Sequence, residues 1–250
     1  MSAAKILLVT GGSRGIGAAS VRAAAHAGYQ VAINYVNDAK AANALAKEIQ
    51  KTGGTAVTIK ADVAREEEIV RLFETVDREL GRLTHLVNNA GITGRPARVA
   101  DTESTGLERL IAVNVTGAIL VAREAVRRMS TARGGKGGAI VNLSSMAAVL
   151  GAPGEWVGYA ASKGAIDSFT VGLSREVAKE GIRVNAVAPG LIDTDIHLTA
   201  GQPDRLERMA PTVPMARAGS AAEVAAAILW LLSDEASYVT GTIVRVSGGR

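Results

Sequence analysis

Tyr159 and Lys163 stand four residues apart in Tyr159-Ala-Ala-Ser-Lys163, a spacing that puts a phenol and an ammonium on one face of a helix. A free tyrosine titrates near pH ~10, so proton exchange near neutrality asks for about three units, or ~4 kcal/mol. One positive charge ~4 Å away at an effective dielectric near 20 supplies ~4 kcal/mol. The pair therefore has the makings of a general acid and base. An ordinary helix face offers the same two residues, so their weight depends on what accompanies them.

A second chemical signal lies in Thr10-Gly11-Gly12-Ser13-Arg14-Gly15-Ile16-Gly17, between an apolar run and a helix-period segment. Glycines at this junction close a tight turn, let backbone N–H groups approach a phosphate, and let the helix pack on the strand, while the helix N-terminus supplies positive potential. The context of strand before and helix after predicts a dinucleotide site. At the end of the next apolar run, Asn34 and Asn37 occupy the place where a carboxylate would bind adenosine ribose hydroxyls and repel a 2′-phosphate. Arg14 adds a positive charge at the same end. NADP(H) is therefore favoured over NAD(H), with Asp38 the one carboxylate that could turn inward.

These residues need a scaffold. Apolar runs at 6–10, 30–34, 56–60, 85–88, 139–143, 184–187 and 243–246 alternate with helix-period stretches near 16–27, 38–52, 66–80, 105–129, 158–180 and 221–233. Near-continuous apolar strands separated by helices predict an α/β fold, a Rossmann-type doubly wound parallel sheet of about seven strands with helices on both faces. One domain is expected over 1–250. The segment 191–217, rich in proline and arginine, reads as a mobile excursion over the site, a substrate lid.

Composition closes off other classes. Of 250 residues, 48% are hydrophobic and 21% charged, which excludes disorder. The absence of cysteine excludes disulfides, thiolate nucleophiles and Cys-bound metal centres. His26, His85 and His197 are scattered, so no metal site is expected. The net charge of +4 comes from interspersed Lys, Arg, Asp and Glu with only 3% aromatics, which argues against nucleic-acid binding. No signal-type segment or ~20-residue uncharged apolar run occurs, so a cytoplasmic location and no membrane association are expected. The densest basic cluster, Arg127, Arg128, Arg133 and Lys136, fits a solvated helix end.

Taken in order, Thr10–Gly17, Asp62-Val63, Asn88-Asn89-Ala90-Gly91, Asn114, Ser144-Ser145, Tyr159/Lys163 and Pro189-Gly190 resemble the short-chain dehydrogenase/reductase family over almost the whole chain. The resemblance implies hydride transfer between a nicotinamide cofactor and a carbonyl or secondary alcohol. It implies that Gly11, Ser13, Arg14, Gly15, Ile16 and Gly17 hold the phosphates, that Asp62 and Val63 contact adenine, and that Asn89, Ala90 and Gly91 line the ribose channel. Tyr159 would be general acid in reduction and base in oxidation, Lys163 would lower its pKa and bond the nicotinamide ribose, and Asn114 would hold a water-linked relay to Lys163. Pro189, Gly190, Ile192 and Thr194 would clamp the carboxamide.

Two adjacent serines compete to polarise the substrate carbonyl. Alignment of Val141-Asn142-Leu143 with the family pattern selects Ser145, at the cost of one extra residue before Tyr159, which is assigned to the Pro153–Gly158 loop. Strand alternation points only one of the two inward, and Ser144 is the runner-up. Trp156 and His197 are candidates for substrate contact. The resemblance further implies a homotetramer acting on a small-molecule carbonyl or alcohol. Narrower alternatives are a 3-oxoacyl thioester on acyl carrier protein, docked by Arg127 and Arg128, and a glucose-type sugar. A non-catalytic dinucleotide sensor is the alternative from another class.

Overall fold

In the computed structural model, which describes residues 4–250, the chain alternates strand and helix as the sequence predicts. The elements in chain order are β1 (Ile6–Val9), α1 (Gly15–His26), β2 (Gln30–Tyr35), α2 (Ala39–Lys51), β3 (Ala56–Lys60), α3 (Glu66–Glu79), β4 (His85–Asn88), α4 (Ser104–Ile111), α5 (Ala118–Met129) and β5 (Gly138–Leu143). There follow α6 (Ala147–Leu150), α7 (Val157–Val177), β6 (Ile182–Pro189), β7 (Ile192–Asp193), α8 (Ile196–Thr199), α9 (Arg205–Met209), β8 (Gly219–Ser220), α10 (Ala221–Leu232) and β9 (Ile243–Val246).

Seven strands form one parallel sheet in the order β3-β2-β1-β4-β5-β6-β9. Alternation along each strand divides the core into two layers. Leu7, Val9, Val31, Ile33 and Val87 pack with α1, α2 and α10, whereas Ile6, Leu8, Ala32, Leu86 and Ile140 pack with α3, α5 and α7. The chain runs outward in opposite directions from β1 and β4, so a crevice opens above their C-terminal ends, the usual ligand position in such sheets.

Local chemistry sets the helix starts. The Asp38 carboxylate accepts the Ala41 N–H at 2.8 Å to begin α2, and Ser220 with Glu223 forms a capping box on α10.

The segment expected as one helix over 105–129 has a π-helical stretch, Ala112–Gly117, between α4 and α5. Gly117 lies against the Val63 carbonyl so closely that a Cβ there would sit 2.3 Å from its oxygen. The extra residue of the π turn carries Asn114 into the interior, where it is 1% exposed. By length and composition the continuous helix 104–129 could cross a membrane (26 residues, with an 18-residue window of mean hydropathy 1.4). Its Leu110, Val113, Val121, Ala125 and Met129 are instead buried within the fold, and Arg109, Arg123, Glu124, Arg127 and Arg128 interrupt it. The short helices α6, α8 and α9 and the β7–β8 pair had no periodic signal in the sequence.

Candidate active site

The glycine loop is held from below. The buried Thr10 hydroxyl accepts the N–H groups of Asn89 and Ala90 at 2.9 and 3.0 Å, and Asn89 Nδ2 donates to the Thr10 and Gly11 carbonyls. Asn34 completes the support. It is 1% exposed, its Oδ1 accepts Gly11 N–H at 3.2 Å, and its Nδ2 donates to the Ala61 carbonyl at 2.9 Å and the Ile59 carbonyl at 3.3 Å. The expectation that Asn34 meets the adenosine is therefore corrected: a buried amide must satisfy its own hydrogen bonds, and this one does so by tying β2 to the loop and to β3.

The cradle suits a pyrophosphate. Helix α1 has neither a side-chain cap nor an acidic residue in its first turn, so its leading N–H groups face the crevice. A Cβ on Gly17 would stand 2.3 Å from the Gly11 carbonyl oxygen, which is why helix and loop approach only with glycine there. Gly15 adopts φ +52°, a left-handed turn that glycine takes without strain.

Beyond the loop lies a cleft of about 330 Å³ bordered by Ser13, Arg14, Asn37, Asp62, Val63 and Arg109. Arg14 is exposed and makes no ion pair or hydrogen bond from its side chain among the described residues. Asp38 borders the same cleft with its carboxylate committed to capping α2. Arg109, which no sequence pattern singled out, meets the Asp62 carboxylate at 2.9 Å from 47 residues away.

At its other end the crevice widens into a cleft of about 540 Å³ that contains Ser145, Tyr159, Lys163, Pro189, Gly190 and Thr194. Ile16, Asn89, Gly91 and Thr194 border both clefts, so they form one continuous groove. Ile192 lies in the wider part, and Ala90 lies at the adenosine end.

The two serines at the end of β5 diverge. Ser145 lies beside Tyr159, near enough to lower its pKa, and accepts the Ala147 N–H at 3.1 Å. Ser144 is 3% exposed, turns to the Lys163 carbonyl at 3.5 Å and lies near the Asp167 carboxyl, whose pKa it lowers. The segment linking Ser145 to Tyr159 carries left-handed backbone at Gly151, Ala152 and Gly154, with φ of +77°, +45° and +75°.

Burial governs the titration of Tyr159 and Lys163. The phenol is pushed above its ordinary value by loss of solvent, and the Ser145 hydroxyl offsets part of that rise. Lys163 is pulled down from 10.5 to about 8, again by burial, with the Asp167 carboxylate opposing the shift. Its ammonium donates to the Leu143 carbonyl at 2.6 Å and lies 5.7 Å from the centre of the Tyr159 ring. The Lys163 charge is thus held by a carbonyl, and at the phenol loss of solvent is the largest influence.

Asn114 borders neither cleft. Its Oδ1 accepts Ile92 N–H at 2.9 Å, and its Nδ2 donates to the Ile92 carbonyl at 2.8 Å and the Ser162 hydroxyl at 3.0 Å. A Cβ on Gly91 would touch both Asn114 Oδ1 (3.4 Å) and Lys163 Nζ (3.5 Å), so Gly91 is the spacer between them.

Trp156 is 6% exposed, borders the wide cleft, and donates its indole N–H to the Gly94 carbonyl at 3.2 Å. Arg205 of α9 stacks over its ring at 4.5 Å and pairs with Glu155, which Arg208 also approaches at 3.7 Å. The 191–217 excursion is thus fastened to the loop before α7. The side chain of His197 lies outside the described ones. Among the described residues no cluster of His, Cys, Asp and Glu could hold a metal.

A family model described as enoyl-(acyl carrier protein) reductase matches residues 11–250. Three curated proteins are similar along their whole length. The protein named uncharacterized oxidoreductase YgfF, from Escherichia coli (strain K12), is 50% identical over 245 residues, covering 98% of this chain and 99% of its own. Glucose 1-dehydrogenase 2 from Bacillus subtilis (strain 168) is 38% identical, covering 98% of this chain and 94% of its own. A 3-oxoacyl-[acyl-carrier-protein] reductase from Synechocystis is 37% identical, covering 98% and 96%. With the parallel sheet, the glycine loop and the Tyr159/Lys163 helix in place, the chain belongs to the short-chain dehydrogenase/reductase family of NAD(P)-dependent oxidoreductases acting on CH–OH groups.

Proposed function

We propose that this protein is an NADP(H)-dependent enzyme that interconverts a carbonyl and a secondary alcohol of a small molecule, with Tyr159 as general acid and base. The observation that carries the reading is that Ser145, Tyr159 and Lys163 border one cleft, in a groove that runs on to the uncapped start of α1. Gly11, Ser13, Arg14, Gly15 and Ile16 would hold the phosphates, Gly17 would set the helix against the loop, and Asp62, Val63, Ala90 and Gly91 would receive the adenosine and ribose. Pro189, Gly190, Ile192 and Thr194 would border the nicotinamide, which supplies the hydride when bound. Ser145 and Tyr159 hydrogen-bond the substrate oxygen and stabilise the charge that develops on it; Tyr159 then delivers its proton. Lys163 and Asn114 act by position, through the floor beneath Tyr159 and through Ile92.

Preference for the 2′-phosphate rests on charge. At the adenosine end the Asp38 carboxylate is occupied by a helix cap and the Asp62 carboxylate by Arg109, whereas Arg14 is unpaired among the described residues. A charge-assisted contact is worth about 1.5–3 kcal/mol, so Arg14→Ala should weaken NADPH binding about 10- to 100-fold and leave NADH within about twofold. Parallel titrations by nicotinamide fluorescence decide it; equal or tighter NADH binding in the wild type would overturn the assignment.

The relatives carry both narrower activities in their names, a sugar dehydrogenase and a carrier-dependent reductase. The cluster suggested for carrier docking is largely committed. Arg128 is 16% exposed and pairs with Asp77 and Glu124, and Arg127 pairs with Glu124 at 2.7 Å. This favours a free small molecule. We further read 191–217 as a lid and the chain as one domain of a cytoplasmic homotetramer, a reading supported by exposed Leu107, Ile111 and Ile119 on α4–α5 and by Trp230 on α10.

A further inference from the structure

We propose that the substrate carries a carboxylate and that Arg250 reads it; the inference rests on the reductase reading above and names its substrate class. Arg250 borders the 540 Å³ catalytic cleft and also an adjoining cavity of about 520 Å³, so the residue stands where the two meet. Most of the charges around both spaces are held by neighbours. In the catalytic cleft the Glu155 carboxylate is held by Arg205 and Arg208, and Lys163 by the Leu143 carbonyl. In the adjoining cavity the Glu223 carboxylate is held by Arg217 at 2.6 and 3.0 Å, and Arg245 lies in the field of Asp167. Arg245 and Arg250 have neither an ion pair nor a side-chain hydrogen bond among the described residues, and of the two only Arg250 borders the catalytic cleft.

The backbone around Arg250 is fixed. Gly248 and Gly249 take left-handed conformations, with φ of +62° and +91°, and a Cβ on either would press on Val213 or Pro214 at 2.9–3.0 Å. Met215 N–H donates to the Gly248 carbonyl at 3.1 Å, and Ser247 Oγ donates to the Arg250 main-chain oxygen at 3.0 Å. The turn is clasped between the end of β9 and the excursion, which places Arg250 against a cleft whose lining includes Leu150, Met146, Leu191, Trp156 and Met209 beside the polar residues already described. A guanidinium fork beside such apolar residues matches a carboxylate, which it binds through two parallel N–H···O contacts. No covalent step is added; the contact orients the carbonyl towards Ser145 and Tyr159.

The test uses intact wild type, Arg250→Gln and Arg250→Lys with 2-, 3- and 4-oxo carboxylates and their methyl esters. Binding is measured by calorimetry with NADPH present, and turnover is followed alongside. The expected result is that at least one acid binds wild type tenfold or more tighter than its ester, that Arg250→Gln abolishes the gap while changing ester affinity less than twofold, and that Arg250→Lys restores part of it. NADPH affinity should be the same in all three. Equal binding of every acid and ester to wild type, an equal loss of both in Arg250→Gln, or a loss of NADPH affinity would each overturn the proposal. The binding readout stands without turnover, so failure of the Tyr159 mechanism would be seen separately, as activity surviving in Tyr159→Phe.

Discussion

Lys163 is a charge largely withdrawn from water, and the cost of that placement can be read from pH. In the unfolded chain its ammonium titrates at 10.5, and in the folded protein at about 8. Between those values the unfolded state holds a proton that the native state has released, so unfolding free energy must rise with pH across that interval. The slope is about 1.4 kcal/mol per pH unit, and the integral over the shift is about 3 kcal/mol. Below pH 8 the whole cost is present, and it vanishes by about pH 10.5. Lys163→Met removes the ammonium but also leaves the Leu143 carbonyl, bonded at 2.6 Å, without a donor. That loss is about 1–3 kcal/mol, so net stability at pH 7 changes little and the pH dependence is the informative quantity. Urea unfolding of wild type and Lys163→Met at half-unit steps from pH 7 to 10 should show the wild type gaining about 2–3 kcal/mol relative to the variant. Tyr29 and Tyr159, whose phenols burial also raises, lose stability above pH 10 and are common to both proteins. A flat difference across pH 7–10 would refute the reasoning.

Two further substitutions probe the cofactor cradle. Gly17→Ala puts a methyl 2.3 Å from the Gly11 oxygen, so the loop must move: a loss of about 1–3 kcal/mol in stability and of NADPH and NADH binding together is expected in thermal melts and fluorescence titrations. Asn34→Ala strips hydrogen bonds from Gly11 N–H and the Ala61 and Ile59 carbonyls. It should cost about 2–4 kcal/mol in urea unfolding and weaken both cofactors by the same factor; selective loss of NADPH would return Asn34 to the phosphate site.

Much of this architecture was legible because strands buried on both faces leave a near-continuous apolar run and surface helices leave a 3.6-residue one. The seven sheet strands and six long helices are strong signals of that kind. The glycine loop was legible for a different reason, since only glycine fits the Gly17–Gly11 approach and the left-handed turn at Gly15. What stayed hidden is set by distance in three dimensions. Nothing in the sequence pairs Arg109 with Asp62, fastens Arg205 to Glu155 and Trp156, or brings Arg250 to the catalytic cleft, because each depends on how separate elements pack. Asn34 and Lys163 mark the same limit from inside the motifs. Residue type and spacing placed them correctly along the chain, but whether the side chain faces ligand or core, and whether a charge or its desolvation dominates, was decided by burial.

The central claim is that the Tyr159 hydroxyl moves the proton. Tyr159→Phe removes one oxygen from a partly exposed side chain that borders the cleft beside Ser145, and general acid catalysis is worth about 10²–10⁴-fold. With the best carbonyl substrate, carbonyl reduction by the variant should fall by at least about 10²-fold in kcat, while NADPH binding by fluorescence titration stays within about twofold of wild type. Turnover within a few-fold of wild type, with the cofactor bound normally, would contradict the account.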